Sequence, residues 1–195
     1  MKKIGLLIVF VLLISAVARA QAEVVAGYAS ITPFAGGYLF ESSEGRKNTA
    51  IYGLRAGYNF TENWGMEGFA SYMQTTIQDI PAQPPQNIYG CGIEGLYHFM
   101  PKGSFVPFIA LGVGGIHYGY PEAYRTDKFD VDYGVGLKIF LTDNIALRAD
   151  VRHIITFSDT YNDILATLGI TFSFGRKKME TPQVKDEEIP APKTP

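Results

Sequence analysis

Cysteine, positive charge and long apolar runs are all scarce in this chain, and each scarcity removes a class of function. Among 195 residues there is one cysteine, Cys91. It cannot close an internal disulfide, and in an exported chain a lone thiol is either buried and inert or free to pair with another molecule. After the first twenty residues no stretch approaches 18 uncharged apolar residues, the length from which a spanning helix is read. Membrane insertion must therefore be by strands, which need only ~9–11 residues each. The basic footprint that a nucleic-acid partner would want is also missing. His98, His117 and His153 are far apart, with no H-x-x-x-H spacing and no paired cysteines, so no metal is expected. Gly90 to Gly95 matches G-x-G-x-x-G, yet it lies inside an alternating strand and opens no helix. No cofactor is expected.

What is present begins with Met1-Lys2-Lys3, an uncharged apolar run from Ile4 to Val17, and Ala18-Arg19-Ala20. That is a secretory signal peptide over residues 1–20 with an Ala-x-Ala cleavage site. No cysteine follows the run, which argues against a lipid anchor. Removing the signal takes three of the 17 basic residues and none of the 19 acidic ones, leaving a net charge of about −5. Residues 21–174 are then one domain. Residues 175–195 open with Gly175-Arg-Lys-Lys178 and continue Pro- and charge-rich with almost nothing apolar, a composition that supports no core. A flexible periplasmic tail is expected there.

Between these ends, eight segments alternate with period two, the pattern of strands with one apolar face. Residues 163–174 are the clearest: Ile164, Ala166, Leu168, Ile170, Phe172 and Phe174 oppose Asp163, Thr167, Gly169, Thr171 and Ser173, with Leu165 the exception. The others are 30–40, 49–60, 64–75, 87–99, 105–118, 129–140 and 145–157. Phe69 and Met73 break the pattern in the third. Residues 105–118 are apolar on both faces, and Gly114-Gly115 there is a place for a bulge.

Connection lengths choose between a soluble sandwich and a membrane barrel. Residues 61–63, 100–104 and 141–144 are short, whereas 41–48, 76–86 and 119–128 are long and only 158–161 fails to be. An outer-membrane barrel with short periplasmic turns and longer outer loops predicts this alternation. The fold class expected is all-β, an eight-stranded antiparallel up-and-down transmembrane β-barrel. Its polar face carries Arg55, Glu67, Glu94, Lys138, Arg148, Asp150 and Arg152 mid-strand. In so narrow a barrel that face points into a lumen filled by side chains, where charges must pair.

The chain resembles the OmpA-like family of outer-membrane β-barrels, in particular the N-terminal barrel domain of OmpA- and OprF-type proteins. The resemblance rests on the signal peptide, the eight strands, Trp64-Gly-Met-Glu67, and the strand from Pro107 to Gly114. Residues 167–174 also look like the terminal-strand signal read by the barrel assembly machinery, carried by Thr167, Gly169, Phe172 and Phe174. The resemblance implies outer-membrane lipid and lipopolysaccharide as surroundings, lumen ion pairs that act as a plug or gate, and a structural, envelope-stabilising role with at most a narrow pore.

Two other classes compete. Some eight-stranded barrels modify lipid A, and a deacylase would need a Ser–His pair with an acid. His153, Ser158 and Asp159 are nearest, but they do not form the signature of such enzymes, so the expectation is a protein that is not an enzyme. An adhesin would bind a surface or host ligand through loops 76–86, with Pro81, Pro84 and Pro85, and 119–128, with Tyr120, Tyr124 and Arg125.

Overall fold

The structure is a computed structural model that describes residues 23–77, 84–119, 126–157 and 160–175. The segments expected as signal peptide and tail, and most of the two longest loops, lie outside those residues. Eight strands follow one another: β1 Ala29–Leu39, β2 Thr49–Asn59, β3 Trp64–Thr75, β4 Gln86–His98, β5 Phe105–Tyr118, β6 Thr126–Thr142, β7 Ile145–Thr156 and β8 Tyr161–Phe174. Each pairs antiparallel with its neighbours, and β1 pairs with β8 from Ala29↔Phe174 to Leu39↔Ile164. Closure leaves no free edge. The alternation predicted an eight-stranded up-and-down barrel, and that is the fold.

The three short turns lie at one end with both flanks of the closure pair. Val24 N–H donates to Pro101 O at 2.8 Å across that end. The connection 40–48 and the strand ends that flank the other long connections lie at the other end. The bulge predicted at Gly114-Gly115 is not there: β5 pairs in unbroken register with both neighbours, Gly114 facing Gly92 and Asp130. The register shift falls instead between Phe140 and Thr142 on β6, beside the tightest turn of the barrel.

Facing is strict. Ile164, Leu168, Ile170, Val135, Val151, Leu111 and Ile93 all project outward and stay exposed, as a lipid-facing surface requires. Aromatic rings gather near the two rims of this band. Near the short turns Trp64 packs on Tyr97 at 4.9 Å and Tyr97 on Phe99 at 5.2 Å. Toward the loops Tyr72 meets Tyr89 at 5.3 Å and Phe129 meets Phe157 at 5.8 Å. Inside, three layers stack. A large apolar layer under the loops includes Phe34, Tyr38, Ile51, Met73, Ile116, Tyr118, Ile154 and Leu165. Charges fill the middle, and Val24, Val106, Phe140 and Ala146 close the turn end. Met73 and Leu165, which interrupt the polar face in the sequence, keep the period and point inward; what they fill is the upper apolar layer.

Candidate functional site: the packed lumen

Three residues of β7 organise the middle layer. Arg148, Asp150 and Arg152 stand at alternate positions, so a strand aims all three inward, and they are 2%, 4% and 1% exposed. Asp150 sits between the two arginines. Its Oδ2 accepts from Arg148 Nε at 3.0 Å and its Oδ1 from Arg152 Nε at 3.1 Å. Arg55 Nη2 on β2 reaches the same Oδ1 at 3.2 Å. Outward from this hub, Arg148 Nη1 donates to Glu67 Oε2 at 2.5 Å. Arg152 donates through Nη2 to Glu94 at 2.8 Å and through Nη1 to Asp132 at 3.0 Å. Lys138 Nζ lies 3.7 Å from Glu67 Oε1 and donates to His98 Nε2 at 3.1 Å. Charges from β2, β3, β4, β6 and β7 are thereby tied into one network across the lumen.

Aromatic rings serve as the walls of the network. The Arg55 guanidinium carbon lies 4.0 Å from the Phe34 ring centre and that of Arg148 4.7 Å from Phe108, the geometry of cation–π attraction. These rings fit because glycine stands opposite them. A Cβ on Gly53 would collide with Phe34, and one on Gly136 with Phe108. A cavity of about 40 Å³ separates the charges from the apolar layer above, lined by Arg55, Glu94, Asp130 and Arg152 on one side and Phe34 and Ile154 on the other.

All seven charged residues singled out in the sequence therefore stand in this lumen. Asp132 and His98 share the inward parity of the polar face on β6 and β4 but do not stand among those seven; the aromatic walls carry no signal in the alternation. The four residues of the terminal-strand pattern do not form one cluster. Thr167 Oγ1 faces Arg55 Nη2 at 3.5 Å, and Gly169 packs against Pro33 and Thr32. Phe172 and Phe174 project outward at the turn-side rim, Phe174 beside Ala29 at the closure.

The remaining motifs stay apart. Gly90 to Gly95 lies within β4. The three histidines have separate partners: Lys138 for His98, Asp127 for His117 at 2.5 Å, and the Tyr133 hydroxyl for His153 at 2.8 Å. Ser158 and Asp159 lie outside the described residues, as do Pro81, Tyr120, Tyr124 and Arg125. Cys91 is exposed on the outward face.

Residues 6–177 match the family model of the outer membrane protein beta-barrel domain. Among solved structures, the chain is similar to the N-terminal β-barrel domain of Pseudomonas aeruginosa OprF, with 21% identity, a TM-score of 0.55, and coverage of 76% of this chain and 98% of that one. It is also similar to Neisserial surface protein A, with 14% identity, a TM-score of 0.59 and coverage of 76% and 99%. Ail, the attachment invasion locus protein of Yersinia pestis, gives 16% identity, a TM-score of 0.53 and coverage of 77% and 100%. No curated protein matches the chain.

Proposed function

Because this chain belongs to the outer membrane protein β-barrel domain family and is accordingly an outer-membrane protein, we propose that it is a structural, envelope-stabilising barrel. Its lumen is plugged by the ion-pair network and forms at most a narrow gated pore. The observation that supports this reading is the continuity of the network from Arg55 to Lys138, with apolar layers above and below it. An interior so filled spends its side chains on holding the wall, as eight-stranded barrels do. Lipid and lipopolysaccharide surround the aromatic rims, the long loops face outward, and the turn end faces the periplasm.

Planar-bilayer recording tests the gate. The unaltered barrel is expected to stay closed with rare openings. Glu94→Ala removes one acceptor of Arg152, and Lys138→Ala one cation of Glu67. A charge-assisted hydrogen bond contributes about 1.5–3 kcal/mol, so Glu94→Ala should raise the open fraction roughly tenfold or more, and Lys138→Ala, which removes an ion pair at 3.7 Å and the hydrogen bond to His98, should raise it in the same direction. Flat traces from all three proteins would eliminate the gate and leave the structural role.

We also read Thr167, Gly169, Phe172 and Phe174 as the signal taken up by the barrel assembly machinery. Phe174→Ala should lower the amount of folded barrel in the outer membrane several-fold while leaving refolding from urea into lipid unchanged. Equal amounts in cells, or an equal loss in both settings, would remove the signal and leave an interface aromatic.

A further inference from the structure

The connection from β1 to β2 does more than turn the chain. Phe40 N–H donates to Asn48 Oδ1 at 3.0 Å across its base, and Ser42–Glu44 form one 3-10 turn that Gly45 ends at φ +65°. Its far side is fastened to the end of β3: Arg46 bridges Ile77, Lys47 N–H donates to Thr76 O at 3.0 Å, and Thr75 Oγ1 donates to Lys47 O at 2.5 Å. So held, the turn delivers Glu44 into the mouth of the barrel, its side chain 4% exposed. Glu44 Oε1 accepts from Arg46 Nε at 2.9 Å and from the Tyr118 hydroxyl at 3.2 Å. Arg46 lies 4.5 Å over the Tyr118 ring and bonds to the Gln86 side chain. Tyr118 itself is fully buried in the upper apolar layer.

A second carboxylate stands on the other side of the mouth. Asp163 on β8 accepts from Tyr38 Oη at 2.8 Å and from the Glu41 backbone N–H of the same connection at 2.8 Å. The connection is thus fixed at two points over the lumen, by Glu44 on Tyr118 and by Glu41 on Asp163. Among the described residues, the charged and titratable groups around Glu44 include Arg46 beside it, Tyr118 from β5, Lys128 from β6, Asp163 from β8 and Tyr38 from β1. We infer that the β1–β2 connection is a strap across the outer mouth, seated on Glu44 and released as external pH rises.

The direction follows from what surrounds the carboxyl. Burial pushes the Glu44 carboxyl above its ordinary value, and Asp163 adds to the shift, while Arg46 and Lys128 oppose it. A carboxyl raised in the seated strap favours its protonated form there. Seating is then strongest below the ordinary glutamate value of ~4.3 and weakens as pH climbs through the raised one.

A spin label on the strap reads this directly, in detergent and without any assumption about a pore. With Cys91→Ser to remove the native thiol, Ser43→Cys is labelled on the exposed face of the turn. The expected result is an immobile label in acid and a mobile fraction that grows at least twofold toward neutral pH. In Glu44→Gln, which keeps an acceptor for Tyr118 and carries no charge, the label should stay immobile throughout. Asp163→Asn should move the transition to lower pH in the charged parent. Heat-dependent mobility in electrophoresis checks that each protein is a closed barrel, and the parent profile decides should a variant not assemble. A parent without pH dependence overturns the inference. So does Glu44→Gln following the parent curve, or showing a mobile label at every pH, which would mean that the ion pair with Arg46 holds the strap.

Discussion

Val135→Arg combined with Leu137→Arg will prevent the barrel from assembling. Both residues project outward on β6, Val135 with 61% of its surface exposed, and they stand between Tyr133 and Ile139, within the apolar band. An arginine at the bilayer midplane of a barrel costs ~2–4 kcal/mol, falling toward zero near the interfaces. Two such changes take up much of the ~5–15 kcal/mol by which a native fold outlasts its unfolded chain. The measurement is the shift in electrophoretic mobility between boiled and unboiled samples after refolding into lipid. The unaltered chain should show two mobilities and the double variant one. An exposed position in water tolerates arginine within about 0.5 kcal/mol, so normal assembly would mean that this face meets water.

Arg148→Ala will produce the largest loss of any single change inside the lumen. The side chain is fully buried and joins Glu67 to Asp150. Removing it leaves Glu67 with Lys138 at 3.7 Å as its only other ion-pair partner among the described residues. Deleting one partner of a buried pair costs about 3–5 kcal/mol, because the charge left behind is still buried. The check is the midpoint of urea unfolding from lipid vesicles, which should fall sharply. Adding Glu67→Gln to Arg148→Ala should restore part of the loss, since the stranded charge then goes too. Residues within one network show coupling of about 0.5–3 kcal/mol in such a cycle. Additive effects of the two changes would mean that Arg148 and Glu67 act independently and that the network is a set of separate contacts.

Both expectations start from facts of different origin. That Val135 faces out is legible in the sequence, because parity along a strand is rigid: once Phe129, Val131, Tyr133, Val135, Leu137 and Ile139 share one face, no local choice can turn one of them. The same rule made Arg148, Asp150 and Arg152 neighbours on the inner face. The limits of the pattern were instructive. Phe69, Met73 and Leu165 look like errors when the inner face is taken as polar, but the rule concerns direction and not chemistry. Met73 and Leu165 fill the apolar upper lumen, and Phe69 stands beside Arg55 on β2, so all three obey it. The bulge placed at Gly114-Gly115 failed for a related reason. Glycine in a strand marks either an irregular backbone or a close neighbour, and here the neighbour is the Asp130 carboxylate beside Gly114.

Sequence by itself determined the number of strands, their order, which face meets lipid and which end carries the long loops, since all of these are local periodicities and spacings along one chain. It also placed seven charges on the inner face. Only the tertiary structure decided who pairs with whom. Asp150 serves three arginines, Arg152 reaches Glu94 across the lumen and Asp132 on the adjoining strand, and Phe34 and Phe108 back the guanidiniums. These are partnerships between strands as far apart in sequence as Arg55 and Asp150, fixed by closure of β1 on β8 and the stagger of the strands around the barrel. The descent of Glu44 into the mouth belongs to the same class. Nothing in residues 41–48 announces a strap; it exists because Tyr118 and Asp163, brought together by closure, lie beneath them.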